Sequence, residues 1–199
     1  MRRPRASVGR SGVERGMSLA SSIQAAEEVL ASMRAHEMPL DRAALGIAEA
    51  LRNGHKVLTC GNGGSAAQAA HLTTELVGRF HSSRRPLPAL FLGGDASLIT
   101  CIANDFSWDE VFSRPLQALA QAGDVVVCFS TSGNGKNLAR ALSTAQDLGL
   151  SSLALLGKGG GDARGRASWE IIIDSDDTAR IQEAHLFLLH CLCERLEGA

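Results

Sequence analysis

Two pairs of polar residues have the types and spacing of a site that handles protons or a metal. His71 and Glu75 stand four apart in HLTTE, so on a helix they share one face. Gln182 and His190 stand eight apart in QEAHLFLLH. That is about 80° around a helix axis at 3.6 residues per turn, so both can point into one cleft. Imidazole nitrogens and carboxylate oxygens are usual zinc donors, and a glutamine amide is an unusual one. The same carboxylate and imidazoles can move protons to and from a reacting carbon and its oxygens. Glu183 and His185 lie on the same segment. Each residue alone also fits a hydrogen-bonded core histidine or a surface ion pair. Spacing does not bring the 71–75 helix to the 182–190 helix.

Two loops supply candidate anion sites. One is Asn62-Gly63-Gly64-Ser65, directly after Gly61; the other is Ser130-Thr131-Ser132-Gly133-Asn134-Gly135. Each follows an apolar run and leads into a helical pattern. Free backbone N–H groups at a helix start bind an anion with help from the helix dipole. Hydroxyls add donors, and glycine lets the backbone approach closely. Either loop alone is also an ordinary glycine turn with serine caps. A nucleotide fits poorly. Gly61, Gly63 and Gly64 are out of register with G-x-G-x-x-G, since Ala66 stands where the last glycine belongs. No acid about 20 positions on is evident, and there is no GxxxxGK[ST] loop. The serine-rich second loop suits a phosphate monoester better than a pyrophosphate.

These loops need a scaffold that aims them at one place. Five apolar runs read as buried strands: 56–61, 87–92, 124–130, 151–157 and 169–175. Three show little alternation, as strands covered on both faces should. Helical patterns lie between them at about 65–80, 109–121, 136–149 and 180–197. Two more, at about 18–35 and 41–53, precede the first strand. Alternating strands and helices predict an α/β fold, a doubly wound parallel sheet. Gly157–Gly165 is a glycine-rich loop with room to be mobile. Ile23, Ala26, Val29, Leu30 and Met33 form a helical stripe with no sheet of their own to cover, which predicts packing against another subunit.

Composition agrees with one compact domain. The chain has 199 residues, is 45% hydrophobic and carries a formal net charge of -1. That balance gives no bias toward nucleic acid or a membrane surface. No run approaches the ~20 apolar residues of a membrane span. Residues 1–16 hold five arginines and one glutamate, a basic extension read as disordered, with a single domain over 17–199. Five scattered cysteines without a CxxC motif fit a reducing, cytoplasmic setting.

Taken together, GNGGSA (61–66), HLTTELVGRF (71–80), IANDFSWDEVFSR (102–114), GDVVVCFSTSGNG (123–135), LLGKGGG (155–161) and ARIQEAHLFLLH (179–190) resemble the SIS (sugar isomerase) proteins. Within them, they resemble the phosphoheptose isomerase family. The likeness spans about 18–197. It implies a five-stranded parallel, flavodoxin-like sheet with extra N-terminal helices for oligomerisation. It also implies a homotetramer with active sites between subunits and one Zn2+ per subunit.

The reaction implied is the isomerisation of sedoheptulose 7-phosphate to D-glycero-D-manno-heptose 7-phosphate through an enediol. That step opens nucleotide-activated heptose biosynthesis, whose product feeds lipopolysaccharide, another glycan or a secondary metabolite. Carried over by position, His71, Glu75, Gln182 and His190 match the metal site, and Glu75 and His190 the acid/base pair. Asn62, Gly63, Gly64 and Ser65 match the first substrate loop, and Ser130, Thr131 and Ser132 the phosphate loop. Glu75, Gln182 and Gly135 also fall among the substrate-binding positions. Asn104 and Asp105 match a further substrate pair, and Arg79 an arginine near a neighbouring subunit's site. Three positions depart from the family pattern: Gln68 stands where many members carry an acid, Gly135 where serine is usual, and Ala103 where glycine is frequent. The family also includes a non-catalytic regulator, the DnaA initiator-associating protein, echoed here in CLCERL (191–196). Isomerisation of a different phosphosugar is the other alternative.

Overall fold

The computed structural model describes residues 18–199; the basic stretch 1–16 lies outside the described residues. Five parallel strands form one sheet in the order β2-β1-β3-β4-β5. They are β1 Val57–Gly61, β2 Ala89–Phe91, β3 Val125–Ser130, β4 Ser151–Gly157 and β5 Trp169–Ile173. The helices are α1 Leu19–Ser32, α2 Glu37–Arg52, α3 Gly64–Val77, α4 Ala96–Asp105, α5 Ser113–Leu119, α6 Lys136–Asp147 and α7 Thr178–Leu196. The expected doubly wound α/β fold is present.

The uninterrupted apolar runs follow from burial on both faces. Val57, Val125, Val127, Phe129, Leu153 and Leu155 face one core, filled from α2, α3 and α7. Their alternates Leu58, Cys60, Val126, Cys128, Ala154 and Leu156 face the other, filled largely from α5 and α6. At the amino-terminal edge, Asp124 is 1% exposed and accepts from the N–H groups of Lys56 at 2.9 Å and Gln121 at 2.7 Å. Burial pushes this carboxyl up, but the hydrogen bonds from Lys56 and Gln121 outweigh it and hold it below its usual range.

Two helical expectations changed. The helix expected over 109–121 is a 3-10 turn, Trp108–Glu110, followed by α5. Pro115 lacks the N–H that a longer helix would need there, and falls in the first turn of α5, where it is tolerated. Helix α4 has no counterpart in the sequence reading. It is short, 10 residues, with one small apolar stripe of Ile99, Ile102 and Ala103 on the core, and Asp95 caps it by accepting from Ser97 and Leu98. The glycine-rich 157–165 stretch is a run of tight turns, with Gly159, Gly160 and Gly161 at positive φ, packed on the second loop through the Ala163 N–H to Gly133 carbonyl bond at 3.0 Å.

In the α1 stripe, Met33 enters the core and Val29 packs partly on it, while Ile23 and Leu30 stay exposed. Among the described residues no helix is long and apolar enough to cross a membrane.

Candidate active site

The strand order reverses direction between β1 and β3, which makes this the switch point where doubly wound sheets bind ligands. Strand β1 ends at Gly61 and β3 at Ser130. The two loops read from the sequence therefore leave adjacent strand ends, in a register that pairs Gly61 with Phe129. Between them lies a cavity of about 110 Å³, lined by Asn62, Ser65, Ser130, Thr131, Ser132 and Gly135 among others. Helices α3 and α6 begin on either side. Their positive dipole ends favour an anion there, although the N–H groups of Ser65, Ala66 and Leu138 already donate to the Asn62, Gly63 and Gly135 carbonyls.

Local turns shape these loops. Gly63 takes φ 54°, a left-handed conformation that glycine adopts without strain. The Ser130 hydroxyl accepts from Gly133 N–H at 3.0 Å, and the Ser132 hydroxyl from Asn134 N–H at 3.2 Å. Each hydroxyl keeps its own proton for another acceptor.

Helix packing brings together the two polar pairs that spacing could not join. His71 Nε2 lies 3.0 Å from Glu75 Oε1; the carboxylate can only accept when ionised, so the imidazole N–H donates. The His71 and His190 rings meet edge to face, 5.2 Å between centroids. Phe80 lies nearly parallel to the His190 ring, 5.9 Å between centroids. Gln68 Nε2 donates to the Gln182 carbonyl at 2.6 Å, binding α3 to α7. The Gln182 side chain lies over the start of α3: a Cβ on Gly64 would stand 2.2 Å from its Nε2. A bare glycine at 64 is therefore what lets Gln182 reach the first loop.

Other expected residues are not drawn in by this chain. Asn104 bonds its neighbour Asp105, and both are exposed at the end of α4. Arg79 is exposed just beyond α3. Among the described residues no hydrogen bond or ion pair joins these three to the loops. Glu183 pairs with Arg180. His185 is fully buried with Nε2 3.1 Å from the Leu156 carbonyl, and burial drives its pKa down to about 4. It is a core histidine, outside the site.

The sequence reading missed Asn137 and Phe80. Asn137, 1% exposed in the first turn of α6, exchanges two amide hydrogen bonds with Asn62. A polar residue directly behind a serine-rich loop was its one sequence signal. Gln68, singled out as a departure, proves to be a helix clamp, with its Oε1 buried and unpartnered.

Nitrogen and oxygen donors of the His71–Glu75–His190 set suit zinc. The 3.0 Å between His71 Nε2 and Glu75 Oε1 is close to the ~3.3 Å separating two donors on one tetrahedral zinc with bonds near 2.0–2.1 Å. Among the described residues, however, no three His, Cys, Asp or Glu side chains are grouped as a closed metal site. The donor types fit; closing the set requires the glutamine or a side-chain adjustment.

Residues 22–157 match the SIS domain family. A phosphoheptose isomerase from Campylobacter concisus is 50% identical over 153 residues, covering 77% of this chain and 81% of that protein. The structure of a phosphoheptose isomerase from Francisella tularensis superposes with TM-score 0.83 at 36% identity, over 90% of this chain and 94% of that one. The Neisseria gonorrhoeae phosphoheptose isomerase gives 0.80 at 36% identity, over 90% and 95%. With its sheet order, its two switch-point loops and these relatives, the chain belongs to the SIS domain family and, within it, to the phosphoheptose isomerases.

Proposed function

We propose that this protein converts sedoheptulose 7-phosphate to D-glycero-D-manno-heptose 7-phosphate. The observation that carries this reading is the convergence of His71, Glu75 and His190 in a phosphoheptose isomerase relative. A non-catalytic regulator would not require that acid/base set. The phosphate end binds where the 130–135 loop and the α6 start meet, and contributes binding energy remote from the reacting carbons. Glu75 takes the C1 proton of the ketose as the C2 carbonyl oxygen gains one, giving the enediol. The carbon proton is then returned to C2 while O1 loses its proton, giving the aldose. His190 is placed to carry the proton between O1 and O2, since imidazole both gives and takes protons near neutral pH. His71 holds the Glu75 carboxylate toward the cleft.

A Zn2+ would be held by His71, Glu75, Gln182 and His190, and when bound it polarises a carbonyl and steadies negative oxygen. The assembly proposed is a cytoplasmic homotetramer. Exposed Ile23 and Leu30 of α1 would be covered in it, and Arg79, Asn104 and Asp105 would complete a site from more than one subunit.

The test is incubation with sedoheptulose 7-phosphate, followed by NMR, beside a panel of shorter ketose phosphates. Aldose formation from the heptulose supports the reading. Turnover of another ketose alone moves the substrate, and no turnover of any removes the enzyme.

A further inference from the structure

Asn62 and Asn137 form a closed amide pair across the switch point. Asn62 Nδ2 donates to Asn137 Oδ1 at 2.9 Å, and Asn137 Nδ2 donates to Asn62 Oδ1 at 2.9 Å. The bonds fix both amide orientations, because turning either one would set donor against donor and acceptor against acceptor. One residue belongs to the loop after β1, the other to the first turn of α6 after β3. The pair therefore ties together the two loops that bound the cavity.

Gly135 shows how close this clasp lies to the ligand space. Its φ of −70° suits any residue. A Cβ there would instead stand 3.1 Å from both Asn137 Oδ1 and Asn62 Nδ2. Gly135 and Asn62 both line the cavity, so the pair stands directly behind its wall. It is also uncharged. A carboxylate at position 137 would keep the acceptor, lose the donor to Asn62, and add negative charge beside a seat for a phosphate dianion.

We propose that Asn137 is a positioning residue for the reaction: through its amide pair with Asn62 it holds the first loop against the phosphate loop, so that both grip the phosphate monoester end of the substrate. This rests on the isomerase reading above. Asn137 is buried and acts through Asn62 and the loop.

The test uses the full chain with Asn137→Ala, Asn137→Asp, Asn62→Ala and the double alanine variant. Four quantities are read: kcat, KM for sedoheptulose 7-phosphate, affinity for inorganic phosphate, and melting temperature. Losing two hydrogen bonds predicts about a tenfold rise in KM and a matching loss of phosphate affinity, with kcat falling less. Asn137→Asp, the closest in shape, is expected to lose more phosphate affinity than Asn137→Ala. The double variant is expected to be no worse than the poorer single one, because the pair acts as a unit.

A residue serving the fold alone would lower the melting temperature at unchanged KM and unchanged phosphate affinity. That result overturns the proposal, as do additive effects or unchanged phosphate affinity in folded variants. If Asn137→Ala does not fold, Asn137→Asp carries the same readings. If the wild type binds phosphate but does not turn over the heptulose, the isomerase reading fails, while phosphate affinity still decides the clasp. A wild type that binds no phosphate overturns both.

Discussion

His71 of α3 and His190 of α7 meet edge to face, with ring centroids 5.2 Å apart and planes inclined by 76°. Far apart in sequence, they are joined because α3 and α7 pack side by side on one face of the sheet, clamped by Gln68. Glu75, hydrogen-bonded to His71, extends this contact to the three side chains proposed above to handle protons.

That contact predicts where zinc is held. The purified full chain should carry about one zinc per subunit, and His71→Ala or His190→Ala should each strip it below that level while the protein still melts cooperatively. Metal analysis alongside calorimetry reads both. Full zinc content in both variants would remove these histidines from the ligand set.

Gly64→Ala separates positioning from stability. The added methyl would meet Gln182 Nε2 at 2.2 Å. The amide is the end of a flexible side chain, so it can swing away at small cost, and alanine in place of helical glycine returns roughly 0.5–1 kcal/mol. The expected result is a nearly unchanged melting temperature with kcat/KM down roughly 10- to 100-fold. Unchanged turnover would show that the location of Gln182 does not matter.

His185 makes stability depend on pH in a defined window. Burial lowers its pKa from 6.5 to about 4 in the fold. The unfolded chain therefore binds its proton first as pH falls, and stability declines from about pH 6.5 toward pH 4. The contribution, fully present above pH 6.5, is on the order of 3 kcal/mol. His185→Leu should lose stability at neutral pH, because the Leu156 carbonyl loses its donor. It should also lose less than the wild type on going to pH 4.5. Denaturant titrations at both pH values measure this. An equal acid loss in the two proteins would show that His185 is not the titrating group.

Much of this was legible in the sequence. Apolar runs without alternation marked the parallel strands, and the glycine and serine loops after 61 and 130 marked two anion-binding turns, because each is a local pattern; that they meet at the switch point was not legible. Helix α4 was not legible: its stripe of Ile99, Ile102 and Ala103 spans only 10 residues, too few turns for the helical period to stand out. The amide pair of Asn62 and Asn137 was not legible either, since its partners are brought together only by the pairing of β1 with β3. For the same reason the role of Gln68 could be flagged but not assigned: its partner lies on α7.

The central claim is that Glu75 moves the carbon-bound proton of a heptulose phosphate. The direct measurement is aldose formation from sedoheptulose 7-phosphate by NMR, with wild-type protein and with Glu75→Gln matched for folding. The account predicts steady conversion by the wild type and a rate lower by roughly 10²- to 10⁴-fold in the variant. No aldose from the wild type, or equal rates from the two proteins, would contradict it.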